Sequence, residues 1–504
     1  MKILVIVLAF FCWLNGTAQN YNKKGDKKLR YKKVEEARSF YYKAYMQNPD
    51  NYKTLKGLVL SNQYLEQTVE AEIWMQKIIE QGKETVEDVY LYSELLKTND
   101  KFEESEEWFK KYAKLRPNDK KTKERKLYYE ELKTLQLNSN YAISPVSVNT
   151  DDSDMGLFNF GKVVIFSSRG TKKLVSKKKS ENWSDLDLYF AEKADPVRFE
   201  NVEEFASKLN TPFNDGPVAF DPTTNKLFIT RYAPNKANKI EGELFYHMQL
   251  VIAAWRNNEW NIEEEFFFND KNYTVAHPSI SFDGQLLFFA SDIFGGYGGA
   301  DLYLCIKNDG EWSAPFNLGP EVNTEGNEFF PFIAYDKTLY FSSNGHGGVG
   351  GYDIFSATHS GGVYKNVKNL GLDVNSGKDD VSVSFDPFQN KGYFASNRAG
   401  GKGLYDIYYF ENKYMPIVIS GVVRDYVTKQ ALPDINIELE HENGEIISSA
   451  KTDVEGKFIF TSFIQKAMVF RASSETYKMV ENRLDMQSLK KDDEFVLNVF
   501  LNKK

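Results

Sequence analysis

One segment of the chain returns at a spacing of 52 or 53 residues, and this periodicity leaves the middle of the sequence very few architectures. Gly295-Gly296-Tyr297-Gly298-Gly299-Ala300-Asp301-Leu302-Tyr303 recurs as Gly347-Gly348-Val349-Gly350-Gly351-Tyr352-Asp353-Ile354-Phe355, and again as Gly400-Gly401-Lys402-Gly403-Leu404-Tyr405-Asp406-Ile407-Tyr408. Each copy follows an aromatic run ending in small polar residues, at 287–291, 339–343 and 392–396. Weaker copies lie upstream, where 164–168 leads to Asp187-Leu188-Tyr189 and 227–230 leads to Glu243-Leu244-Phe245. The outer parts repeat as well: Trp260, Trp312 and Tyr364; Asn317-Leu318-Gly319 and Asn369-Leu370-Gly371; Val322-Asn323 and Val374-Asn375. Each unit reads as four short strands joined by turns. Four strands at this period form propeller blades. Five units occupy 138–415. The fifth ends early, and 141–149 matches the end of a unit, so this stretch is expected to complete the last blade and remove an exposed edge.

These motifs resemble the TolB-like, WD-repeat-like blade family. Its better-known members often have six blades, so six is the alternative to the count of five. Several apparent site motifs dissolve inside the repeat. Residues 345–350 match a dinucleotide fingerprint by letters, yet no helix is expected after them and they recur at blade spacing. The Gly-Gly-x-Gly runs resemble a calcium-binding nonapeptide, but not at its period. Glycines at positive φ and an Asp bonding local N–H groups account for them. Asp151-Asp152-Ser153-Asp154 could ligate Ca²⁺; a solvated turn is the preferred reading. Trp260, Trp312 and Tyr364 read as packing rather than a ligand cage.

Residues 19–137 carry a second period, of 34. Ala37, Ala71 and Ser105 keep that spacing, as do Tyr41, Met75 and Phe109, and Ala44, Ile78 and Tyr112. Small residues let paired helices approach, and the larger residue one turn later fills the gap. Pro49 and Pro117 are placed to end the second helix of their repeats, while the middle repeat has Lys83 there. The pattern resembles the tetratricopeptide repeat, with Gly25 at its glycine position. The resemblance implies an all-α solenoid with a concave groove for peptides or proteins. This segment is net positive, so the rest of the chain carries the acidic excess.

Residues 416–504 read as a small β-sandwich. Strands are expected over 416–425, 431–439, 452–460, 469–472 and 494–501. The G-x-V, L-P-x-x-x-I and T-D-x-x-G-x-F pattern resembles the carboxypeptidase regulatory-like domain, a transthyretin-like sandwich that is not catalytic.

Residues 1–18 read as an export signal: Lys2, an apolar run from Ile3 to Leu14 too short to span a membrane, then small residues with cleavage after Ala18. Only Cys305 then remains of the two cysteines, which excludes an internal disulfide. A net charge of −8 argues against nucleic acid as a partner. The histidines, at 247, 277, 346, 359 and 441, lack metal-ligand spacing, and no G-x-S-x-G elbow occurs. No catalytic, cofactor-binding or metal-binding residue is therefore named.

The order of modules resembles PorE-type, OmpA-family envelope proteins of Bacteroidetes, which usually end in a peptidoglycan-gripping OmpA-like domain. The present sequence reaches Lys504 directly after the last expected sandwich strand, so no peptidoglycan site carries over and contact with peptidoglycan would be indirect. The resemblance implies a non-enzymatic periplasmic scaffold, peripheral to the outer membrane and without a transmembrane helix. Its partners would be envelope or outer-membrane proteins, a PorP-type barrel among them, in type IX secretion or gliding machinery. Two other readings stand beside it: a propeller that senses a glycan or peptide, and a hydrolase with an unrecognised site.

Overall fold

The computed structural model describes residues 17–122, 128–129, 132–133, 135, 141–170, 186–206, 208–232, 238–240, 243–245, 247–386, 391–413, 416–441, 446–463, 467–485 and 494–504. The export signal expected over 1–18 lies almost wholly outside them. The described part of helix α1 covers 17–30, with Ala18 buried. Among the described residues no helix is long and apolar enough to cross a membrane. Helices and ring together form one compact unit, and Glu411–Lys504 form the body of another.

The 34-residue period sets helices side by side in antiparallel pairs: α1 with α2 (Val34–Tyr45), α3 (Tyr52–Tyr64) with α4 (Thr68–Glu80), and α5 (Val86–Thr98) with α6 (Phe102–Leu115). Ala37, Ala71 and Ser105 are fully buried where the pairs cross, next to buried Tyr41, Met75 and Phe109. Tyr41 shows why small residues are required. Its ring lies where a Cβ on Gly25 or Gly57 would stand, and its hydroxyl donates to Asp26 at 2.8 Å. Asn51 caps α3 through Thr54 N, and Thr85 with Asp88 forms a capping box on α5. The middle repeat, which lacks the proline, ends α4 before Gly82, whose φ of +62° suits the left-handed turn after a helix.

Five antiparallel sheets follow. The first four are Asp154–Phe160 to Phe199–Glu204, Asp215–Asp221 to Glu259–Glu265, Val275–Ile280 to Phe316–Asn317, and Glu328–Ile333 to Val363–Asn369. The fifth takes Asp380–Phe385, Lys391–Ser396 and Asp406–Asn412 in order, then Tyr141–Pro145 as its outer strand. The first strand of each sheet contacts the first strands of both neighbouring sheets, and the fifth contacts the first, so the ring closes at five blades. Each inner strand slips register once, for example between Met155 and Phe158 and between Phe329 and Phe332. Such a bulge adds the bend that a tight ring needs.

One device occurs in all five blades. The amide of Asn210, Asn269, Asn323, Asn375 or Asn149 accepts from the backbone N–H, and donates to the carbonyl, of Leu188, Leu250, Leu302, Ile354 or Ile407 on its blade's third strand. A side chain thus stands in for a strand residue and satisfies two buried backbone groups.

Three expectations need correction. The third strand of blade 2 is Met248–Arg256, and Glu243–Phe245 belongs to a separate two-stranded hairpin with Asn238–Ile240. An insertion had displaced the motif, and Gln249, paired with Arg231, takes the place that Asp301, paired with Ser291, holds in blade 3. The Gly-rich turns are not explained mainly by positive φ. Only Gly295 and Gly400 of these runs have it, whereas a Cβ on Gly296, Gly348 or Gly401 would collide with Asp301, Asp353 or Asp406. A Cβ on Gly298, Gly350 or Gly403 would collide with the backbone leading into the next blade, at Thr324, Lys378 or Asp152. Lastly, the sandwich has two strands beyond those expected, Ile446–Lys451 and Val480–Asp485. The first bunches its apolar residues and the second is largely polar, so hydrophobic alternation does not mark them. The sandwich comprises a three-stranded and a four-stranded sheet that enclose Ile419, Ile437, Leu439, Phe470 and Leu501.

Candidate functional site

The centre of the ring is filled. Five inner strands bring Gly156, Pro217, His277, Phe330 and Ser382 around a cavity of about 70 Å³, and His277 stacks on Phe330 at 3.8 Å. Burial pushes the His277 imidazole down to about 3, so it is neutral in the folded chain, and its Nδ1 has no hydrogen-bond partner among the described residues. Stability from this neutral ring is fully present above the unfolded histidine value near 6.5 and is lost as pH falls from there toward 3. The slope is at most about 1.4 kcal/mol per pH unit. His277→Phe gives blade 3 the residue that blade 4 holds at this place, Phe330 at φ +49°. Melting temperatures of this variant are expected to fall less than those of the parent between pH 6.5 and 4. Equal slopes would show that His277 becomes protonated without unfolding.

Buried carboxylates lie at the starts of blade strands, outside the lining of this cavity, and most are held by their own turns. Asp154 accepts from Thr150 and Ser168, Glu328 from Thr324 and Ser343, and Asp380 from Ser376 and Arg398. Asp301, Asp353 and Asp406 each accept two backbone N–H groups of the Gly-rich turn. Burial, with Asp380 nearby, pushes Asp353 up to about 8, and burial pushes Asp215 up to about 6 against the pull of Arg231. The acidic run at 151–154 does not converge on one point: Asp154 turns inward, while Asp152 faces Arg169 at 3.6 Å. Among the described residues no three His, Cys, Asp or Glu side chains are grouped to hold a metal ion. Burial raises the Cys305 thiol to about 12, which keeps it protonated and unreactive.

An open concavity lies on the helices. A groove of about 580 Å³ runs between α1 and α3, with Asp26, Arg30, Lys53, Lys56, Leu60 and Tyr64 along it. Lys53, Lys56, Leu60 and Tyr64 fall at i, i+3, i+7 and i+11, one face of α3. That spacing is the signal by which the groove residues could have been named from sequence. Two of the cations differ in role. Lys56 pairs with fully buried Asp88, which also accepts from Tyr52 and Thr85, so this cluster is structural. Lys53 is 60% exposed in its 2.7 Å pair with Asp26 and can exchange that partner for a ligand. Tyr64 is 68% exposed.

The array is fixed to the ring at blades 4 and 5. Asp100 accepts from Gly377 N at 2.6 Å, Lys378 Nζ donates to the Glu66 carbonyl, and Tyr128 donates to the Val349 carbonyl. Val349, from a Gly-rich turn, is fully buried in a cluster with Val89, Phe109 and Tyr129. Burial raises the Asp100 carboxyl, and the Gly377 N–H and nearby Arg398 oppose it.

The aromatics 52 residues apart meet different fates. Trp312 packs edge-on against Phe228 at 6.2 Å, and Tyr364 against Phe288 at 5.5 Å, each reaching back to the preceding blade. Trp260 also packs, against Phe205 and Trp255 at the edge of the core between blades 1 and 2, and its remaining face lines an open cleft.

No protein-family model matches the chain, and no curated protein does. Among solved structures, the first tetratricopeptide domain of Spaghetti bound to an HSP90 peptide is similar at 17% identity, covering 24% of this chain and 95% of that one, with a TM-score of 0.22. A protein of unknown function from Dyadobacter fermentans is similar at 10% identity, covering 55% and 100%, with a TM-score of 0.33. A thermostable family-43 glycoside hydrolase is similar at 13% identity, covering 62% and 98%, with a TM-score of 0.37. Further matches at comparable scores include a gluconolactonase and a prolyl endopeptidase.

Proposed function

We propose that the chain is a non-enzymatic scaffold that holds protein partners in the groove of its helical array. The observation that carries this reading is the pairing of an open groove, with exposed Lys53 and Tyr64, with a ring whose channel is filled by His277 and Phe330. The buried carboxylates of the ring support it, since most spend their lone pairs on neighbours and are not free for acid–base work. The resemblance in module order to PorE-type, OmpA-family proteins extends the reading to the periplasm, at the outer membrane, within type IX secretion or gliding machinery. The partners there are envelope proteins, including a PorP-type barrel.

The test uses the full chain as bait on solubilised envelope fractions, beside the Lys53→Glu, Tyr64→Ala double variant. Recovery of outer-membrane proteins is expected to fall at least tenfold with the variant. Equal recovery would remove the groove from the account. Turnover in a broad peptidase and glycosidase screen would replace the scaffold with a hydrolase.

A further inference from the structure

The residue second in each aromatic run faces the next blade. It is Phe228 in blade 2, Phe288 in blade 3, Tyr340 in blade 4 and Tyr393 in blade 5, and each meets a ring of the following blade. The pairs are Phe228 with Trp312, Phe288 with Tyr364, Tyr340 with Phe385 at 4.2 Å, and Tyr393 with Phe199 at 6.1 Å. Blade 1 has Ile165 at this place. Trp260 of blade 2 therefore finds no ring there and rests on Phe205 and Trp255 instead. What remains is a cleft of about 570 Å³ with Phe160, Phe190, Phe220 and Trp255 in its walls. Phe160 and Trp255 are each nearly half exposed. Four junctions of the same ring thus show the chemistry that fills the space, and at the fifth the aromatic ring is missing from the chain.

The frame of the cleft is acidic. The outer strand of blade 1, Phe199–Glu204, exposes Glu200, Glu203 and Glu204, and the outer strand of blade 2, Glu259–Glu265, exposes Glu263, Glu264 and Glu265. Nearby cations are Arg198 on Glu200, Lys208 on Glu259, Lys226 on Glu264 and Arg256 on Glu263, fewer than the carboxylates. A partner seated here is favoured if it brings positive charge.

We propose that the cleft between blades 1 and 2 is a docking site for an aromatic side chain of a partner polypeptide, flanked by lysine or arginine. At this junction the guest ring plays the part that Phe228 plays against Trp312 at the next, with Trp260 as its edge-on partner, and its basic neighbours lie along the glutamates. Such a ring buries its area in a preformed apolar pocket, the arrangement of an interface anchor. This site is separate from the helical groove, and neither depends on the other.

The experiment titrates the full chain with acetyl-Lys-Phe-Lys-amide, acetyl-Lys-Ala-Lys-amide and acetyl-Glu-Phe-Glu-amide, following heat and tryptophan fluorescence. The first peptide is expected to bind saturably, at least tenfold more tightly than the other two. Ile165→Phe fills the gap as the other blades do, and should abolish binding while raising the melting temperature. Trp255→Ala, an exposed wall substitution, should weaken binding without loss of fold, which keeps the test usable if Ile165→Phe misfolds. Equal affinity for the alanine peptide, unchanged binding by both variants, or tighter binding of a dodecyl chain would overturn the proposal. So would self-association, seen by sedimentation, that Ile165→Phe abolishes, because the occupant would then be a second copy.

Discussion

Gly377→Ala is expected to release the helical array from the ring while both stay folded. The glycine lies in the loop that enters blade 5, and a Cβ there would overlap the Lys97 carbonyl and approach Thr98 at the end of α5. Both obstacles are backbone, so neither can swing away as a side chain would. The loop must shift, and Gly377 N then leaves Asp100, whose carboxylate loses a part-buried hydrogen bond. Overpacking of this kind costs about 1–3 kcal/mol, and the lost hydrogen bond adds less, because Asp100 is exposed to water. That is large for a joint built from a few polar contacts and the Val349 cluster. Neither the ring's inner strands nor the helix-pairing residues are touched. Small-angle scattering should show a larger radius of gyration, and proteolysis should cut faster between 116 and 141. Asp100→Asn, which keeps an acceptor for Gly377, should do much less. A Gly377→Ala chain with unchanged scattering and cleavage would mean that the loop yields locally and the joint rests on Val349 alone.

Much of this architecture could be read from spacing, because repeated structures write each contact several times. Asn323 and Asn375 stood 52 residues apart, and Asn149 matched them in the stretch assigned to ring closure. All three make the same pair of bonds. Ala37, Ala71 and Ser105 were legible for the same reason, since helix crossings at a fixed period need small residues at a fixed period. Reading failed where a repeat was interrupted or where the cause was long-range. The insertion in blade 2 moved its third strand to Met248–Arg256 and left Glu243–Phe245 as a decoy. The Gly-rich turns were recognised, but their reason lay in the next blade, at Thr324, Lys378 and Asp152. The cleft beside Trp260 is not marked by any residue that recurs. Its signal is a residue that fails to recur, Ile165 in a column of Phe228, Phe288, Tyr340 and Tyr393. The helical groove needed no repeat, only the helical spacing of Lys53, Lys56, Leu60 and Tyr64.

The same bonds do not carry the same weight in every blade, and Asn149→Ala is expected to show it. In blade 1, Asn210 bonds Leu188 N and O at 2.8 and 3.2 Å. In blade 5, Asn149 bonds Ile407 N and O at 2.8 and 2.9 Å. Removing either side chain strands a backbone donor, at about 1–3 kcal/mol, while the carbonyls keep Phe205 N in blade 1 and Val146 N in blade 5. The difference is connectivity. Asn210 lies on the chain between blades 1 and 2 and is held in place by both. Asn149 belongs to the segment that closes the ring from the far end of the sequence, with Val146 N on Ile407 O and Tyr141–Pro145 beside Asp406–Asn412. No covalent path nearby restores that contact once it opens, and opening exposes the edge of Asp406–Asn412 to pairing with other chains. Asn149→Ala should therefore lower the melting temperature well beyond Asn210→Ala, and it alone should speed cleavage between 141 and 154 and promote aggregation on heating. Equal melting shifts for the two variants would show that closure is secured by the remaining contacts of the strand, and that the fifth blade is no weaker than the others.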